Sequence, residues 1–164
     1  MSRFGVSIGI TPIPPMEIIG TTRDILNEKG RQVWTITPDT LVFDAVKLMG
    51  EKNVGALVAM DGGQVVGVIS ERDYSRKVVL RGRTSQTTYV REILSQPVIS
   101  VTPAHRIEEC MELMTEHRVR HLPVLEDGGL AGIISIGDLV NWIIHAQRHA
   151  IDQLQGYIRG QYPA

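Results

Sequence analysis

Apolar residues recur along this chain in two alternating rhythms. Val33-Trp34-Thr35-Ile36 is a short β-branched run that predicts a strand, and Leu41, Val42, Ala45, Leu48 and Met49 follow at the spacing of one helix face, up to Lys52. Ala56-Leu57-Val58-Ala59-Met60 and Val65-Val66-Gly67-Val68-Ile69 then predict a hairpin closed by Asp61-Gly62-Gly63, since glycine supplies the positive φ of a tight turn. A helix from Asp73 to Leu80 ends the unit, and Gly82 to Thr88 forms a polar linker. Ahead of it, Thr21 to Leu26 predicts a helical turn opened by a hydroxyl cap and ended at Gly30.

From Val90 the order starts again. The pattern predicts a strand at Val98–Val101, a helix at Ile107–Glu116, strands at Leu122–Leu125 and Leu130–Ile134 around a turn at Glu126–Gly129, and a helix from Asp138 to about Gln155. A slide of about 65 positions, without a gap, lays Thr37-Pro38 on Thr102-Pro103, Leu48-Met49 on Leu113-Met114, Gly67 on Gly132 and Asp73 on Asp138. The fold class is therefore α/β, a tandem repeat of a β-α-β-β-α unit, each copy too small to bury both its faces alone. Expected boundaries are an irregular arm at 1–20, repeat one at 21–82, repeat two at 83–145, and a helical extension and tail at 146–164.

Composition narrows the classes. With 43% hydrophobic residues among 164, the chain builds a core, and a net charge of -1 gives no overall bias toward nucleic acid or anionic membrane. Cys110 is the single cysteine, which excludes an intrachain disulfide framework and suits a reducing compartment. No apolar run reaches the roughly 18 residues that span a bilayer, and Gly5, Gly9, Pro12, Pro14 and Pro15 break the early apolar residues. A cytoplasmic location is the expectation.

The repeated polar residues carry the candidate chemistry. Ser70 and Asp73, like Ser135 and Asp138, stand where an apolar strand becomes a helix. Two readings stay open. The hydroxyl caps the helix and the carboxylate favours its positive end, or the carboxylate accepts two hydrogen bonds from a ribose diol. Arg118-Val119-Arg120-His121 precedes a strand of repeat two. If the repeats pack about a pseudo-two-fold axis, Arg120 and His121 approach Ser70 and Asp73, where Arg72 and Arg76 also lie; cations beside a diol-binding carboxylate suit phosphate plus ribose. The second cleft has Gly55 and Ala56 in place of Arg120 and His121, which predicts a weaker grip on phosphate and asymmetric sites.

The doubled G-h-h-S-x-x-D motif, the Thr-Pro opening each first helix, and Arg118 to Val124 (R-V-R-H-L-P-V) resemble the cystathionine β-synthase (CBS) domain pair, or Bateman module. The resemblance covers about residues 21 to 145. It implies two repeats packed with pseudo-two-fold symmetry through their small sheets, and a non-catalytic regulatory module binding adenine nucleotides (AMP, ADP, ATP or NAD) between them and signalling to a partner enzyme or transporter. It also implies a homodimer of pairs. Carried over, it places Ser70, Asp73, Thr88, Ile93, Arg120 and His121 in one cleft, and Thr22, Ile25, Gly55, Ser135 and Asp138 in the other; Arg72, Arg76 and Val119 are expected at the nucleotide site as well. The competing expectation is a constitutive dimerisation scaffold with vestigial clefts.

The remaining reactive residues form no catalytic set. Cys110 falls on an apolar helix face at the position of Ala45, as a small core residue does. His145, His149 and Asp152 share one helix face, which reads as solvated or dimer-contacting, and no metal site is expected. Leu139, Val140, Trp142, Ile143, Ala146, Ala150 and Leu154 give that helix a wide apolar face, for which an isologous dimer is the simplest partner.

Overall fold

The computed structural model describes residues 17–159. Most of the expected N-terminal arm and the last five residues lie outside them. The elements are α1 (Thr22–Lys29), β1 (Thr35–Ile36), α2 (Val42–Lys52), β2 (Ala56–Asp61), β3 (Gln64–Ser70), α3 (Glu71–Lys77), α4 (Ile107–His117), β4 (His121–Glu126), β5 (Gly129–Ser135) and α5 (Ile136–Ile158). Short 3-10 turns at Val79–Arg81 and Val90–Glu92 flank the linker, and the helix expected to run to Leu80 stops at Lys77.

Each hairpin turns on two residues with positive φ, Gly62 and Gly63 (54° and 79°) in one repeat and Asp127 and Gly128 (52° and 77°) in the other. That geometry matches the twist of the flanking strands. β1 pairs parallel with β2, and β2 antiparallel with β3, giving a three-stranded sheet. β4 and β5 form the second sheet, which packs against the first through β3 and β5.

The expected strand at Val98–Val101 shrinks to one parallel bridge between Val101 and Val124. Repeat one explains the loss. There the Val58 amide donates to the Trp34 carbonyl at 3.1 Å. The corresponding residue in repeat two is Pro123, which has no N–H to donate.

Two cores lie on either side of the sheet pair, and each borrows from the other half of the chain. Val42, Ala45, Met49, Leu57 and Ile69 of repeat one pack with Val90 and Ile93. Ile107, Cys110, Met114, Leu122 and Ile134 of repeat two pack with Ile25 and Leu26 of α1. The backbone repeats the exchange: Arg23 N–H donates to the Pro103 carbonyl at 2.9 Å, and Arg91 N–H to the Pro38 carbonyl at 3.0 Å. Burial of Leu26 against the second sheet contributes roughly 2 kcal/mol. The approach is close, since a Cβ on Gly132 would stand 2.7 Å from Leu26 Cδ2, and one on Gly67 3.0 Å from Leu94 Cδ2.

Residues 17–20 run onto repeat two, where the Ile18 amide donates to Glu108 Oε1 at 3.0 Å and Trp142 Nε1 donates to the Ile19 carbonyl at 2.9 Å. Trp142 is thereby tied to its own module. Val140, Ile144, Ile151 and Leu154 of α5 stay exposed. No helix among the described residues is long and apolar enough to cross a membrane.

Candidate functional site

Both repeats build the same strand-to-helix corner. Ser70, in extended conformation, caps α3: its Oγ accepts from the Asp73 amide at 3.2 Å, while Asp73 Oδ2 accepts from the Ser70 amide at 2.9 Å and hydroxyl at 2.8 Å. Ser135 and Asp138 cap α5 with the two reciprocal amide bonds, the Ser135 amide donating to Asp138 Oδ2 at 2.7 Å and the Asp138 amide to Ser135 Oγ at 3.2 Å. The reciprocal bonds satisfy amides that a helix start leaves open. The capping role is thus present in both copies, and it occupies Oδ2 alone. Asp73 Oδ1 faces Lys77 Nζ at 3.0 Å and the Ser95 hydroxyl at 3.4 Å.

Each corner is tied to the residue before the first hairpin strand of its own repeat: the Glu71 amide donates to the Gly55 carbonyl at 3.1 Å and the Ile136 amide to the Arg120 carbonyl at 2.9 Å, one bond the image of the other. A first cavity of about 410 Å³ opens here, and its wall includes Ser70, Asp73, Arg72, Arg76, Arg120 and His121. Gly55, Lys77, Arg118 and Val119 border it as well. The acid of one repeat and the cations of the other therefore share one concave space. Among the described residues, Arg72, Arg76, Arg118 and Arg120 form no ion pair, so the cavity wall is positive. Partial desolvation, then the repulsion of Arg76 and Arg120, holds the Arg72 guanidinium below its ordinary pKa.

A second cavity of about 240 Å³ lies across the axis, bordered by Lys29, Trp34, Asn53, Ala56 and Ser135. Gly55 and His121 border both, and a Cβ on Gly55 would sit 3.5 Å from His121 Nε2. Burial, above all, pushes the His121 pKa down, outweighing the carboxylates of Asp138 and Asp73, and the imidazole is neutral near pH 7. The two cavities differ in size and charge. The smaller one contains Lys29, whose ammonium reaches Asp138 Oδ2 at 2.6 Å and the Ile133 carbonyl at 3.0 Å.

Asp138 pairs with Lys29 without bordering the second cavity, and four more residues expected at the clefts stand elsewhere. Thr88 is buried, its hydroxyl donating to the Thr84 carbonyl at 2.8 Å, and Ile93 belongs to the first core. Thr22 is buried with its hydroxyl 3.3 Å from Cys110 Sγ, and Ile25 belongs to the second core. These side chains turn inward, and neighbouring residues do the lining instead: Ser95, Gln96, Pro97 and Ile99 at the first cavity, Lys29, Gln32 and Val33 at the second. Lys29 and Lys77 had a legible signal, a cation at or near the end of a short helix. His145, His149 and Asp152 are exposed, His145 Nδ1 being 3.6 Å from Glu28 Oε1.

Two like units joined through their sheets, each lending a segment to the other's core and enclosing a cleft at the strand ends, define a pseudo-symmetric tandem-repeat module. The chain belongs to the CBS domain family, whose profile matches residues 21–79 and 90–145. It is 41% identical over 152 residues to the mitochondrial CBS domain-containing protein CBSX3 of Arabidopsis thaliana, covering 87% of this chain and 73% of that one. A solved CBS-domain protein from Burkholderia ambifaria, assigned to signal transduction, is 51% identical with a TM-score of 0.75, over 78% of this chain and 96% of that one. A CBS domain pair solved with 5′-methylthioadenosine and S-adenosyl-L-methionine is 22% identical with a TM-score of 0.64, over 75% of this chain and 94% of that one, a likeness of fold. The chain is a CBS domain pair, a kind of module that is in general regulatory.

Proposed function

We propose that this chain is a non-catalytic sensor that takes an adenine nucleotide into the first cavity and passes its occupancy to a partner protein as a change of shape. The observation that carries the reading is the meeting of Ser70 and Asp73 with Arg72, Arg76, Arg120 and His121 on one wall of about 410 Å³. Asp73 Oδ1 takes the ribose hydroxyls in place of Lys77 and Ser95, while Oδ2 keeps the helix cap. The arginines hold phosphate, as forked donors suit phosphate oxygens. Val119 and Ile99 offer apolar surface to the purine. A protein of the same fold was solved with two adenosine compounds, which supports the same ligand class here. Signalling requires that the nucleotide favour one shape over another.

The second cavity, bordered by Ser135 and Gly55 but not by Asp138, suits the scaffold reading better because it is smaller and has no arginine on its wall. The exposed apolar face of α5 is the proposed homodimer contact, and a monomer by sedimentation at micromolar concentration overturns it. A reducing compartment such as the cytoplasm is proposed from the single, buried Cys110.

Isothermal titration with AMP, ATP and NAD tests the main reading. Asp73→Ala and Asp73→Asn should each weaken binding by at least about tenfold, the energy of one or two charge-assisted hydrogen bonds. Unaltered affinity in both variants refutes the ribose role.

A further inference from the structure

α3 does not run on as α5 does. After Lys77 the chain tightens into the 3-10 turn Val79–Arg81 and leaves it at Gly82 with φ 65°. Val78 enters the first core, while Val79 and Leu80 stand 52% and 75% exposed. A third, shallow hollow of about 370 Å³ adjoins this turn, walled by Lys77, Arg81, Arg83 and Glu92. Arg83 pairs with Glu92, and Arg81 is in no ion pair among the described residues. Repeat two has no counterpart, since the register lays Trp142 on Lys77 and Ala146 on Arg81. Cations beside exposed apolar side chains complement a chain segment that carries carboxylates and an apolar residue together.

Lys77 borders both this hollow and the first cavity. An ammonium has three donors, and those of Lys77 are taken within the chain by Asp73 Oδ1 at 3.0 Å, Ser95 Oγ at 2.9 Å and the Ile93 carbonyl at 2.8 Å. A carboxylate arriving in the hollow gains Lys77 only if one of these bonds is given up. We propose that Lys77, Arg81 and Arg83, with Val79 and Leu80, form the docking surface for an acidic, apolar-bearing segment of the partner protein, and that Lys77 couples this surface to the first cavity. A ribose on Asp73 Oδ1 releases the ammonium to the partner's carboxylate. The coupling rests on the nucleotide reading of the cavity, and the surface does not. A lipid bilayer fits less well, because Glu92 on the same wall opposes a continuous anionic sheet. By linkage, docking tightens nucleotide binding by the factor with which the nucleotide tightens docking.

Random peptides displayed on phage and selected on the full chain supply the probe, and fluorescence anisotropy of the best peptide measures docking. The selected peptides should combine aspartate or glutamate with leucine, isoleucine or phenylalanine. Arg81→Glu and Leu80→Ser should each weaken the peptide about tenfold, while calorimetric titration with AMP, ATP and NAD gives the affinities of the unaltered chain. A saturating nucleotide should tighten the peptide about fivefold or more. Asp73→Asn keeps an acceptor for the Ser70 amide and frees Lys77 without any ligand, so it should tighten the peptide as well; Lys77→Gln should abolish both effects. Peptides without acidic residues, or a peptide affinity indifferent to Arg81→Glu and Leu80→Ser, overturn the surface. So does binding to phosphatidylserine vesicles that Arg81→Glu abolishes, with no peptide selected. Peptide docking that Asp73→Asn leaves unchanged overturns the coupling through Lys77. Tightening by Asp73→Asn with no binding of any of the nucleotides upholds the surface and its lysine and removes the nucleotide reading.

Discussion

The Lys29 ammonium lies 2.6 Å from Asp138 Oδ2, so the carboxylate of the second repeat is paired with a cation brought by the helix that precedes the first. Asp73 meets its own lysine, Lys77, from within the same helix. The contact across the halves both fills the smaller cavity and fastens α1. Replacement of Lys29 by Met should therefore lower stability, but by less than about 1 kcal/mol, because the pair is partly exposed. Thermal denaturation should show a Tm only a few degrees lower, and a loss of cooperativity would contradict the account.

Ser70 closes the cap of α3 through its hydroxyl and accepts the Asp73 amide. Ser70→Ala should cost about 1 kcal/mol, as other cap deletions do. Urea denaturation should report it as a lower midpoint at constant slope. The same change at Ser135 should cost a similar amount.

Gly132 has no room for a methyl group, with Leu26 Cδ2 at 2.7 Å from the place a Cβ would take. Gly132→Ala should destabilise by about 1–3 kcal/mol through overpacking. In a Leu26→Ala background the same substitution should cost much less, since the neighbour that clashes is gone. A double-mutant cycle on denaturation energies measures the coupling, and additive costs would show that the two residues do not press on each other.

Burial lowers the His121 pKa below its ordinary 6.5, with Asp138 and Asp73 opposing and Lys29 and Arg120 reinforcing the shift. Above 6.5 neither state holds the proton, and the stability from the neutral ring is fully present. As the pH falls below that value the unfolded chain takes up a proton that the native chain refuses, so stability declines until the native pKa is reached. Melting temperatures between about pH 7.5 and 5.5 should fall for the native sequence. His121→Gln should flatten that slope, and an identical slope would remove His121 as its cause.

The Cys110 thiol is pushed above its ordinary pKa, chiefly by burial, and sits 3.3 Å from the Thr22 hydroxyl. It should resist a thiol-specific reagent in the native chain at neutral pH and react at once in denaturant, since the thiolate is the nucleophile. Rapid native-state labelling would mean that α1 opens readily.

The repeat, the hairpins and the corners at Ser70 and Ser135 were legible because they rest on local chemistry: apolar period, turn glycine, cap. So was the convergence of Arg120 and His121 on Asp73, which the doubling implies. The fate of Thr22, Ile25, Thr88 and Ile93 was not. Apolar spacing identifies a face as buried without saying whose core receives it, and here each short helical segment crosses to the opposite repeat. The missing strand before Thr102 had a signal in Pro123, whose lack of an amide matters only once its parallel neighbour is known.

That crossing of segments has an ancestral implication. A polypeptide holding one unit alone carries the closing piece for a neighbour and lacks its own, so its simplest complete form is two identical chains trading those pieces. Gene duplication would then have converted an association between molecules into one within a single molecule, freeing Arg118 and Asn53 to diverge and the paired clefts to specialise.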